Sequence, residues 1–152
     1  ANAQNEAAEL VKQGLQKSNM GNHDEALTLY SKAIETDPEL LDAYVKRAYV
    51  NSILKNYDAT IEDYNKILSI KPDLVIVYVS RGSAFSKLKQ YDKAIADFDH
   101  ALSLDKNNSE AYNNRGWAKK YQGDSDGVCE DWKTSKNLGN EEAKIILKNN
   151  KC

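Results

Sequence analysis

Apolar and small residues recur along this chain at helical spacing: Ile61, Tyr64, Ile67 and Leu68 form one stripe, and Ile95, Phe98, Ala101 and Leu102 form another. Residues three and four apart share a face of an α-helix, so each stripe predicts an amphipathic helix with its polar side in water. The second stripe repeats the first at a displacement of 34 residues. A tetrad ahead of each stripe keeps the same step, in Tyr44-Val-Lys-Arg47, Tyr78-Val-Ser-Arg81 and Tyr112-Asn-Asn-Arg115. A fixed period in this range marks an array of supersecondary units, each burying its apolar face against its neighbours.

Rows beginning at Ala7, Leu41, Val75 and Ser109 align position by position. Small residues fall at Gly14, Ala48, Gly82 and Gly116, and a second set at Ala26, Thr60, Ala94 and Val128. Large aromatics follow at Tyr30, Tyr64, Phe98 and Trp132. Small residues let two helix backbones approach, and the ring fills the space that opens beside them, so each row reads as two packed helices. Asp24, Asp58 and Asp92 are expected in the first turn of each second helix, where a carboxylate suits the helix dipole. Asp126 holds the aligned place in the last row. Pro38 and Pro72 are expected to open the following helix, since proline is tolerated in a first turn.

One pair of columns varies together. Arg47, Arg81 and Arg115 share their rows with Asp63, Asp97 and Asp131, whereas the first row has Gln13 and Leu29 in those places. An ion pair between the two helices of one row accounts for this, with about 0.5 to 1 kcal/mol expected if the pair is exposed.

The combination of an aromatic, a small residue four places on, a second small residue, a second aromatic and a closing proline resembles the tetratricopeptide repeat over residues 7–140. The resemblance implies an all-α, right-handed superhelical solenoid. About four helix-turn-helix hairpins (7–40, 41–74, 75–108 and 109–140) would make a single domain, closed by a capping helix at 141–150. The last row departs from the pattern at Val128, Ser135 and Asn140. The cap is expected because Gly139 breaks the chain before Ala143, Ile146 and Leu147 resume a helical stripe, and a terminal unit needs a polar outer face.

In this family the first helix of each repeat lines a concave groove. Carried onto this sequence, the resemblance nominates Val11, Leu15, Asp42, Val45, Tyr49, Ile76, Val79, Asn113 and Trp117 as groove residues. The lining is mostly apolar. Some family members hold a carboxylate tail through Lys, Asn and Arg, and only Asn113 is of matching type here, so no carboxylate clamp is expected. An apolar groove with aromatic anchors suits a peptide or helix of a partner protein. Other readings stay open at this point. The valines could pack between neighbouring first helices, and the chain could be a structural or self-associating unit, hence a homo-oligomer, or an accessory domain of a larger assembly.

Charge narrows the partners. The 152 residues carry 21 basic and 23 acidic side chains, interspersed, for a net charge of −2, which offers no patch for a phosphate backbone. Nucleic acid is therefore not expected as a partner. No apolar run approaches the roughly 18 residues of a membrane-spanning helix, so membrane insertion is not expected either. The chain opens on Ala1-Asn2-Ala3-Gln4, without an initiator Met or an apolar leader, as a mature secreted or trimmed chain would.

Candidate chemistry is sparse. His23 and His100 stand alone, with no metal-ligand spacing around them, and the seven glycines form no phosphate-binding loop, so neither metal nor cofactor is expected. No catalytic residue emerges. Cys129 replaces Leu27, Ile61 and Ile95 of the other rows, as a buried small hydrophobe could. Alternatively Cys129 begins one helix and Cys152 ends the next, and antiparallel neighbours bring such ends together as a disulfide across 22 intervening residues. A bridge would imply a periplasmic or secreted protein, and free thiols a cytoplasmic one.

Overall fold

The 34-residue step becomes a step of two helices. The computed structural model describes residues 2–152 and contains, among them, nine helices and no strand. They are α1 (Ala3–Asn19), α2 (His23–Thr36), α3 (Leu41–Ile53), α4 (Tyr57–Ile70), α5 (Val75–Lys87), α6 (Tyr91–Leu104), α7 (Ser109–Gln122), α8 (Val128–Asn137) and α9 (Glu141–Asn149). The chain forms two compact units, one through Pro72 and one from Asp73.

In the first unit α1 packs on α2, α3 on α4, and α2 on α3. Its core holds Ala7, Val11, Ala26, Tyr30, Ala33, Ala43 and Val50. In the second unit α5 packs on α6, α6 on α7, α7 on α8, and α8 on α9. Val79, Ala94, Phe98, Ala101, Ala111 and Ala118 form one core cluster there, and Val128, Trp132 and Ile146 another.

Each first helix ends the same way. The amides of Asn22, Asn56, Gln90 and Asp124 reach back to the carbonyls of Lys17, Asn51, Phe85 and Lys119. This closure needs a left-handed residue just before the amide, supplied by Gly21, Lys55, Lys89 and Gly123. Lysine carries a steric penalty there that glycine does not. Asp24, Asp58 and Asp92 do lie in the first turns of α2, α4 and α6.

One expectation shifts. Pro38 does not open α3: it lies in the preceding turn, where the Leu40 amide donates to the Asp37 carbonyl at 3.1 Å. Its fixed φ suits the second position of such a turn, and Asp37 reinforces the turn by accepting from the Glu39 amide at 3.1 Å. Pro72 likewise falls between α4 and α5. Asp126 does not join a first turn, because α8 starts at Val128, after a loop in which Gly127 takes φ 73° and Asp124 accepts from the Asp126 amide.

The small residues of the first helices are contact points. A Cβ built on Gly82 would stand 2.7 Å from Phe98, and one on Gly116 would stand 2.5 Å from the Trp132 Nε1. Both rings are fully buried. Where the row has Ala48 instead, the aromatic at that step, Tyr64, is only half-buried.

The arginine and aspartate columns meet as bidentate pairs. Arg47, Arg81 and Arg115 donate to both carboxylate oxygens of Asp63, Asp97 and Asp131 at 2.7 and 2.9 Å. The carboxylate side chains are only 4%, 8% and 5% exposed, so the small value of an exposed pair does not apply. Breaking a buried pair strands a desolvated charge, at about 3 to 5 kcal/mol. Each guanidinium pKa is raised, chiefly by its hydrogen bond to the aspartate. A further donor crosses to the preceding hairpin, from Arg47 to Ser31 at 3.1 Å and from Arg115 to Asp99 at 2.8 Å.

Candidate binding surface

The first helices of each unit carry the side chains that the sequence nominates, and burial divides them. In the first unit Val11 is core, whereas Leu15 of α1 and Val45 and Tyr49 of α3 face solvent, Tyr49 being 61% exposed. Val45 and Tyr49 stand one helical turn apart and so share a face. Asp42, one turn before Lys46, pairs with it at 3.8 Å and forms the charged end of that face.

In the second unit Val79 is core and Ile76 is 72% exposed. Asn113 is buried. Its amide donates to Glu142 of α9 at 3.3 Å and its main-chain carbonyl accepts from the Trp132 indole at 3.3 Å. The cap thus covers this position of α7, and Asn113 belongs to the α7, α8 and α9 contact. Trp117 is half-buried, with its ring edge-on to Trp132 at 5.1 Å.

A stronger feature of the second unit escapes the row alignment. The Trp117 ring stacks on Tyr121 at 5.6 Å, and Tyr121 stacks on Tyr91 at 5.9 Å. These rings wall a cleft of about 300 Å³ between α5, α6 and α7, with Ser83, Ser86 and Asn114 as its polar lining. Tyr121 follows Trp117 by four residues, the spacing at which helical side chains touch, and that is the signal in the sequence that marks it.

Cys129 and Cys152 are joined in a disulfide, with Cα atoms 5.5 Å apart, which ties the end of α9 to the start of α8. No described helix is long and apolar enough to cross a membrane, and no cluster of three or more metal-ligating side chains occurs among the described residues.

An all-α fold of consecutive helical hairpins is a helical-repeat solenoid. Tetratricopeptide repeat models match residues 11–40, 41–74, 75–108 and 98–130, and the chain belongs to that family. The fold is shared with MamA (41-end) from Desulfovibrio magneticus RS-1, at 20% identity and TM-score 0.82 over 88% of this chain and 76% of that one. It is also shared with a thermophilic TPR protein of Thermus thermophilus, at 18% identity and TM-score 0.69 over 88% of this chain and 74% of that one. No curated protein matches the sequence. Repeats of this family are protein–protein interaction modules, and that is the class of this chain.

Proposed function

We propose that the chain is a noncatalytic module that holds a peptide or helical segment of a partner protein on the faces of its first helices, without a carboxylate clamp. The observation that carries this reading is the exposure of Val45 and Tyr49 one helical turn apart on α3, with Leu15 exposed on α1, which touches α3. Large apolar side chains grouped on a surface favour a protein contact, and an aromatic anchor among them concentrates the binding energy. A clamp would need cationic or amide side chains in the open, whereas Asn113 is engaged by Glu142. The disulfide suits an oxidising compartment, so the reading extends to a periplasmic or secreted location.

Tyr49→Ala and Ile76→Ala test the reading cleanly, because neither side chain supports the core. Partner capture from the source organism should fall by about tenfold or more for Tyr49→Ala, with an unchanged circular dichroism melt. Trp117 is a poorer probe, since its ring packs on Trp132. If both variants capture partners as well as the parent does, the reading fails. If instead light scattering finds a stable oligomer that Tyr49→Ala dissociates, the face serves a second copy of this chain.

A further inference from the structure

The second unit holds a cleft whose walls and rim differ in chemistry. Its walls are the rings of Tyr91, Trp117 and Tyr121, with Phe98 fully buried behind them. Tyr121 is 63% exposed, so the Tyr91–Tyr121–Trp117 stack has an open flank. Within the cleft the Ser86 hydroxyl is shielded from solvent and has no hydrogen-bond partner in the chain. A buried hydroxyl of that kind favours an occupant with a polar main chain.

The rim is cationic. Lys87 lines the cleft, and Lys89 and Lys93 line the adjoining depression that shares Tyr91 and Tyr121. Among the described residues none of these three lysines forms an ion pair, while Lys17, Lys46, Lys66 and Lys119 each have a carboxylate. The Lys93 ammonium lies over the Phe85 ring at 5.6 Å. No carboxylate lines the cleft, and the one in the adjoining depression, Asp92, is taken by the Gln122 amide. The amide leaves the Asp92 charge in place, so three lysines against one carboxylate still give this rim a net positive charge in a chain of net charge −2.

We propose that this cleft anchors an acidic segment of a partner protein, taking one apolar side chain against Tyr91, Tyr121 and Trp117 while flanking carboxylates meet Lys87, Lys89 and Lys93. The inference rests on the peptide-binding reading and specifies its partner. Stacked rings would also accept the face of a neutral sugar, but a sugar leaves all three lysines unmatched. Charge complementarity at the rim governs encounter rate and choice of partner, so binding should weaken with salt.

The test uses the full chain and three probes: a fluorescein-labelled decapeptide with a central Phe flanked by glutamates, its twin with lysines in place of the glutamates, and maltohexaose. By anisotropy the glutamate peptide should bind and the lysine twin should not. Tyr121→Ala should weaken binding by about tenfold or more, and the double variant Lys87→Gln/Lys89→Gln should do likewise and flatten the salt dependence. Equal binding of the two peptides, binding of neither, or competition by maltohexaose would overturn the inference. Failure of the peptides with partner capture still sensitive to Tyr49→Ala would sink the acidic anchor alone. Loss of both sensitivities would sink the peptide-binding reading as well.

Discussion

Adding a single methyl group at Gly116 should destabilise the protein, although the same change in an open helix would stabilise it. Alanine gains about 1 kcal/mol over glycine in a helix interior. Against that, the new Cβ would stand 2.5 Å from the Trp132 Nε1, 2.7 Å from Cδ1 and 3.1 Å from Cε2. The indole is fully buried and is a rigid ring, so it cannot swing aside as a lysine end would. Overpacking a filled core costs about 1 to 3 kcal/mol. Moving the ring also weakens the Nε1–H bond to the Asn113 carbonyl, at about 1 kcal/mol more. The net is a loss of about 2 kcal/mol, or roughly 4 to 8 °C in melting temperature for a chain of this size. Thermal and urea melts followed by tryptophan emission measure it, and displacement of Trp132 should also red-shift the native spectrum. Ala48→Gly is the matched control, losing about 1 kcal/mol of helix preference and about 1 kcal/mol more for its buried methyl. A Gly116→Ala protein that melts at or above the parent temperature would refute the close-approach argument.

Three further outcomes follow from the same geometry. Arg47→Ala and Asp63→Ala should each cost about 3 to 5 kcal/mol, and the double variant much less than their sum; additive costs in urea melts would show that the pair is not coupled. Reducing Cys129–Cys152, which closes a sequence separation of 23, should remove about 3 kcal/mol and show first as faster amide exchange in α9; uniform exchange changes along the chain would contradict that local role. The Tyr30 and Tyr44 phenols are held above their ordinary pKa, first by burial. Folded-state pKa values raised in this way mean stability that is complete below about pH 10 and falls as pH rises through the raised values. Absorbance at tyrosinate wavelengths should therefore rise less in folded than in unfolded protein just above about pH 10; identical titration curves for the two states would remove the burial argument.

The period was enough to place most helices, because packing rather than propensity sets it: a ring every 34 residues needs a small neighbour every 34 residues, and both leave a mark in sequence. The pairing of Arg47 with Asp63 was legible for a similar reason, since both columns lose their charge in the first row. Its depth was not legible, because burial of Asp63 depends on what neighbouring helices lay over it. Proline alone was ambiguous, as a first helical turn and the second place of a β-turn ask for the same φ. The late start of α8 shows the limit of row alignment, where Gly127 admits a left-handed step that moves the helix origin. The face residues were least legible. Val11, Val79 and Asn113 hold the same helical place as the exposed Val45, and only the packing of adjacent helices decides which are covered.

The arginine that closes one hairpin also grips the hairpin before it, through Ser31 for Arg47 and Asp99 for Arg115. The hairpin of α1 and α2 is held by its successor in this way but has no guanidinium to hold itself, having Gln13 and Leu29 instead. Fraying of the first unit should accordingly begin at α1, and a bound segment resting on both Leu15 and Tyr49 would act as a splint across the seam.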